Sequence, residues 1–152
     1  LMHVLRQGIR AWGEASGGEL EGDAPVGERL WRHLLAAVRF VGERPELVAI
    51  FRVAATQIGG ELGERAMAEV REFKEGHQRQ LEEVFERAIA DGEVRSGRAA
   101  EHAFVLRTFA NGVVGNQLRA CEGDEQLSED ELRRVWELFW HGLAAEGSEE
   151  RA

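Results

Sequence analysis

From Leu62 to Ala88 the apolar residues recur at steps of three and four: Leu62, Ala66, Val70, Phe73, then His77, then Leu81, Val84 and Ala88. A stripe of that period fits one face of an α-helix and excludes a strand, whose faces alternate every second residue. It predicts a long helix over about residues 61–90, closed by Asp91-Gly92, where glycine can take the left-handed conformation that ends helices.

The same period returns along the chain. Met2, Leu5, Ile9 and Trp12 predict a helix over residues 1–15, followed by a glycine-rich loop over 16–23. Leu30, Leu34, Ala37 and Val41, widened by Trp31 and Val38, predict a second helix that opens at Pro25 and ends at Gly42. Pro45-Glu46 opens a third, with Leu47, Ile50, Phe51, Ala54 and Ile58 on its buried side. Ser96 is a candidate cap for a fifth helix over 98–120. Ser128-Glu129-Asp130-Glu131 reads as a capping box, in which hydroxyl and carboxylate each reach a free backbone N–H. It starts a sixth helix carrying Leu132, Val135, Trp136, Phe139 and Leu143, with Trp140 alongside.

Composition agrees with the period. Ala, Leu, Glu and Arg supply 77 of 152 residues, whereas Thr occurs twice and Ile four times, which favours helices over sheets. The expected fold is all-α, a bundle of about six helices. A chain of this length supports one domain, here residues 1–146, followed by a polar tail over 147–152.

Charge narrows the function classes. The net charge is −9, and residues 121–152 hold ten acids against three bases. That balance disfavours a nucleic-acid surface within these residues, because phosphate binding needs clustered Lys and Arg. No apolar run approaches the roughly 20 residues of a membrane span. Residues 1–11 alternate apolar positions with His3, Arg6 and Arg10, unlike a signal peptide. The lone Cys121 excludes an internal disulfide framework and a Cys-based zinc site. A cytoplasmic protein is expected.

Spacing signatures for catalysis are missing. Glu-x-x-His, which puts two metal ligands on one helical face, fails at His33, His77, His102 and His141. Three residues before them stand Leu30, Lys74, Ala99 and Leu138. Lys74, the single lysine, follows Phe73 rather than a glycine loop, and no Gly-x-Ser-x-Gly occurs. Acids after Cys121 would raise its pKa rather than activate it. No enzyme, metal or cofactor is expected.

What remains is concavity and surface. His77 interrupts an apolar stripe, either as a packed, hydrogen-bonded histidine or as a group that orients an apolar ligand. His33 beside the second stripe is open to the same two readings. Trp12, Phe51 and Phe73, with Thr108 and Asn111 on the fifth helix, complete a candidate pocket, although aromatics on such faces equally serve a core. The fifth helix has two apolar sides, one of Ala103, Leu106, Ala110 and Val113 and another of Val105 and Phe109. A helix with two such sides is packed twice. Trp136, Phe139 and Trp140 also cover more circumference than one seam needs. Leu106, Ala110, Val113, Val135, Trp136, Phe139, Trp140 and Leu143 are therefore the expected dimer interface, a four-helix bundle from two copies of the last two helices. A wholly intrachain core is the alternative.

Three stretches carry a family resemblance. Arg39-Phe40-Val41-Gly42-Glu43-Arg44-Pro45-Glu46-Leu47 is similar to the helix break before Pro-Glu-Leu in the regulatory domain of TetR-type transcriptional regulators. Ala88-Ile89-Ala90-Asp91-Gly92-Glu93-Val94-Arg95 is similar to the end of that domain's long helix, and Ala100 to Leu118, with Asn111-Gly112, to its dimer helix. The resemblance covers residues 1–146 and implies a homodimer that binds a small, mostly apolar effector in its helical core. It also implies operator DNA as partner, reached only through an N-terminal helix-turn-helix domain that this sequence lacks, so that the chain reads as a regulator's C-terminal part. Helix 1 would then transmit the effector's signal. A stand-alone helical interaction module, docking a partner protein on the aromatic face of the sixth helix without a ligand, is the competing reading.

Overall fold

The computed structural model describes residues 2–56, 59–120 and 126–146. They form six α-helices: α1 (Met2–Gly17), α2 (Val26–Glu43), α3 (Pro45–Thr56), α4 (Gly60–Ala90), α5 (Ala99–Ala120) and α6 (Glu129–Leu143). A 3₁₀ turn, Gly18–Leu20, follows α1. The fold is all-α. Among the described residues the one β-type contact is an isolated antiparallel bridge between Val94 and Ala144, and no helix is long and apolar enough to cross a membrane. Cys121, Ile58 and the tail over 147–152 lie outside the described residues.

The boundaries depart from the sequence reading in three places. Helix α1 runs on to Gly17, so residues expected in a loop remain helical. Helix α2 passes through Gly42 and ends one residue later, with the Arg44 N–H bonded to the Phe40 carbonyl. Helix α5 begins at Ala99, where the Arg98 carbonyl accepts from the Glu101 and His102 N–H groups, so Ser96 is not its cap. The capping box is present: Ser128 Oγ accepts from the Glu131 N–H, and the Glu131 carboxylate accepts from the Ser128 N–H at 2.8 Å.

The end of α4 organises one pole of the bundle. Gly92 takes φ +74°, and the Glu93 and Gly92 N–H groups close back on the Ala88 and Ile89 carbonyls in a Schellman motif. That turn presents the Glu93 carboxylate to the first N–H of α2, at Val26 Nα, 2.8 Å away. The strand-like residues after it hold the end of α6 through Arg95 N–H to the Leu143 carbonyl and Ala145 N–H to the Glu93 carbonyl.

The core lies between α2, α4, α5 and α6. Val26, Leu30, Trp31 and Leu34 meet Leu81, Val84, Phe85 and Ala88, with Ala103, Leu106 and Val113 from α5 and Leu132, Trp136 and Leu143 from α6. Each such large side chain contributes roughly 1.5–3 kcal/mol on burial. A smaller cluster joins Leu5 of α1 to Ala66 and Val70 of α4. Arg6 reaches Glu69 at 2.5–3.1 Å on the same seam, which fixes α1 parallel to the first half of α4. In that register Leu62 lies level with the start of α1, and it is therefore exposed rather than buried as its stripe predicts.

Four residues expected at a partner interface belong to this intrachain core. Leu106, Val113, Trp136 and Leu143 are buried within the one chain, Trp136 to 2% exposure. Trp136 fills the space between Trp31 of α2 and Phe109 of α5, with ring centroids 6.2 Å from each, and stacks on Trp140 at 5.6 Å. Ala110 faces an internal cavity. Phe139 and Trp140 are half-buried, Phe139 stacked on Phe109 at 4.1 Å, and Val135 is exposed. Besides Val135, the large apolar residues that α5 and α6 leave to solvent are Phe104 (63% exposed), Val105 and Leu138 (78%), which were not expected at the interface.

Candidate functional site

A cavity of about 350 Å³ opens between α1, α2, α4 and α5, within the size range of small-molecule sites. Its wall is mainly apolar. Trp12 of α1, Leu30, Leu34 and Ala37 of α2, and Phe73 and Leu81 of α4 line the cavity. Helix α5 adds Leu106, Ala110 and Val114, with Arg107 and Asn111. Trp12 is held edge-on against Phe40, centroids 5.3 Å apart.

The polar groups begin with two histidines. His33 and His77 meet through their Nε2 atoms, 2.9 Å apart, and His33 Nδ1 lies 2.9 Å from the Ser16 carbonyl. A carbonyl oxygen only accepts, so His33 Nδ1 carries hydrogen and donates to it. Burial holds the His33 pKa below its ordinary value, so the ring is neutral and its Nε2 is a lone pair. His77 Nε2 must then donate to it. Burial, reinforced by His33 and by the Arg107 charge, pushes the His77 pKa down to about 4. His77 is therefore neutral too and keeps Nδ1 as a hydrogen-bond acceptor. The chain of donors runs from the cavity through α2 to one of the last carbonyls of α1, a group that a helix C-terminus leaves without an intrahelical partner.

The charged groups are Lys74 of α4 and Arg107 of α5. Arg107 Nη1 donates to Gln78 Oε1 at 2.6 Å, and Gln78 Nε2 donates to Glu82 Oε1 at 2.7 Å. This aims the guanidinium and leaves it further N–H donors. Lys74 and Arg107 also line an adjoining groove with Arg71, Arg79, Gln78 and Glu75. The two cavity histidines bond to each other, so neither Nε2 is open to a metal, and no cluster of three ligand-type side chains occurs among the described residues.

Of the pocket residues expected from sequence, Trp12, His33, Phe73, His77 and Asn111 do line this cavity. Thr108 does not. It is exposed, on the α5 face of Phe104, and its hydroxyl donates to the Phe104 carbonyl at 2.9 Å. Phe51 falls in α3 and its side chain lies outside the described residues. The sequence reading missed Lys74 and Arg107. Arg107, Asn111 and Val114 recur at steps of four and three, and Lys74 stands three residues before His77, so helical spacing carries both signals.

Comparison with known proteins matches no family model and no curated protein. A solved structure described as a protein with unknown function from Rhodococcus sp. RHA1 is similar in fold, with TM-score 0.67 and 19% sequence identity over 93% of this chain and 72% of that chain.

Proposed function

We propose that this chain is the effector-binding and dimerisation domain of a TetR-type transcriptional regulator, in which a small molecule bound in the helical core governs DNA binding by a helix-turn-helix ahead of α1. The observation that carries the reading is the cavity that α1 shares with α2, α4 and α5, whose His77 is bonded through His33 to the Ser16 carbonyl at the end of α1. A molecule that orders one position of these helices shifts α1 by its differential affinity for the two positions. The reading is of a binding module rather than an enzyme, since the cavity's two histidines are hydrogen-bonded to each other.

The second half of the proposal is a homodimer through α5 and α6. Phe109 and Phe139 stack where the two helices meet. Val105 lies one turn from Phe109 and Val135 one turn from Phe139, so the exposed apolar residues flank that stack. Gly112 and Gly142 leave open space beside these helices, which suits close approach of a second pair.

The test has two parts. Sedimentation should give a dimer at micromolar concentration, and Phe104→Glu with Leu138→Glu should give a folded monomer. Spin labels at Arg10→Cys in a Cys121→Ser background should then change their separation across the dimer when a cavity ligand binds. A wild-type monomer, or a separation that no cavity ligand moves, would overturn the reading.

A further inference from the structure

The chain carries nine more acids than bases, yet the charged residues lining the cavity are both cations, Lys74 and Arg107. The adjoining groove continues the imbalance, with Arg71 and Arg79 added against the single carboxylate of Glu75. None of these four cations forms an ion pair among the described residues. Arg107 is aimed by Gln78, and Glu82 stands one hydrogen bond further away. Its charge is felt inside the cavity, where it helps hold His77 neutral. The rest of the wall is mainly apolar, with Trp12, Leu34, Ala37 and Leu81 among its residues.

We propose that the molecule this cavity takes is an amphipathic anion, its apolar body between Trp12 and Leu81 and its carboxylate or phosphate head between Lys74 and Arg107. The inference rests on the reading of the cavity as an effector site and names the chemical class of the effector. A carboxylate or phosphate can take two parallel N–H donors from the Arg107 fork while Lys74 adds a point charge. The apolar end is excluded from water by the same wall that buries the histidines. A cationic head meets no carboxylate among the residues that line the cavity, and a neutral head leaves both cations unpaired.

Four eight-carbon probes that differ only in the head separate the cases: octanoate, octyl phosphate, octanol and octyltrimethylammonium. Binding is read by Trp12 fluorescence, with Trp12→Phe as the blank and Ala110→Phe, which fills the cavity, as the block. Octanoate or octyl phosphate should bind at least tenfold more tightly than octanol at low salt, the tighter of the two naming the head. The preference should shrink at high salt and in Lys74→Gln/Arg107→Gln, and survive in Arg107→Lys. Octanol binding as well as octanoate, with both blocked by Ala110→Phe, would overturn the anionic head and leave the effector cavity standing. The same holds if the trimethylammonium binds most tightly. Failure of all four probes would overturn the site as well.

Discussion

His77 donates its Nε2 hydrogen to His33, and His33 donates its Nδ1 hydrogen to the Ser16 carbonyl, each at 2.9 Å. Both rings are neutral in the folded chain because burial lowers their pKa values, that of His77 from 6.5 to about 4. Above pH 6.5 neither state binds these protons and the contribution to stability is complete. As pH falls toward 4 the unfolded chain takes up protons that the folded chain refuses, so stability declines through that window. The loss from His77 is on the order of 2–3 kcal/mol. Urea unfolding between pH 7.5 and 4.5 measures it. His77→Gln, which keeps a donor toward His33 but cannot titrate, should flatten the decline. Parallel curves for the two proteins would remove the histidine pair as its cause.

The carboxylate of Glu93, in the turn that ends α4, binds the first N–H of α2 at Val26. It serves as an N-cap, since Pro25 precedes the helix without a side-chain cap bond. Glu93→Ala should cost about 1–2 kcal/mol, the range for losing a cap with a charge at a helix N-terminus. Glu93→Gln keeps the acceptor and should lose less than half of that. Urea midpoints at neutral pH decide it: equal losses for Ala and Gln would mean that charge, not the hydrogen bond, stabilises this end.

Trp136 and Leu138 separate the core from the free surface within one turn of α6. Trp136 is 2% exposed among Trp31, Phe109 and Phe139, so Trp136→Ala should cost about 3–5 kcal/mol in unfolding free energy. Leu138 is 78% exposed, and Leu138→Glu should leave the stability of the separated chain within about 0.5 kcal/mol while shifting the oligomeric equilibrium. Denaturation at several protein concentrations distinguishes the two. A concentration-independent midpoint for wild type would count against a dimer on this face.

The helices were legible because their signals are local. Period, the Ser128 to Glu131 box and the Asp91-Gly92 stop each act within a few residues. The cavity was half legible for a related reason. His77 stands out in an apolar stripe, but Arg107 and Lys74 resemble solvated cations until the facing helices are in place. On α5 the apolar residues run around the circumference, so the pattern has no phase. Choosing Thr108 instead of Arg107 is an error of one residue, about 100° around the helix. Trp136 was misplaced for a different reason, since α6 has a clear apolar face. Sequence counts the apolar surface on α6 but does not say whether α2 or a second chain covers it. The link from Glu93 to Val26 joins residues 67 apart and leaves no mark in either local pattern.

Gly27, the second residue of α2, lies against the ring of Trp140. A Cβ at position 27 would stand 2.7 Å from Trp140 Cε2 and 2.8 Å from Nε1. Trp140 cannot swing freely, because it stacks on the buried Trp136. Gly27→Ala should therefore cost about 1–3 kcal/mol, the range for overpacking, although alanine is otherwise the better helix former. In a Trp140→Leu background the clash is gone and only the helical preference remains, so the same substitution should be neutral or stabilising by up to about 1 kcal/mol. The four proteins of this cycle, compared by urea unfolding, should give a coupling above roughly 1 kcal/mol. A coupling near zero would mean that α2 and α6 can separate at this contact without loss, and that the Trp136 stack does not hold Trp140 in place.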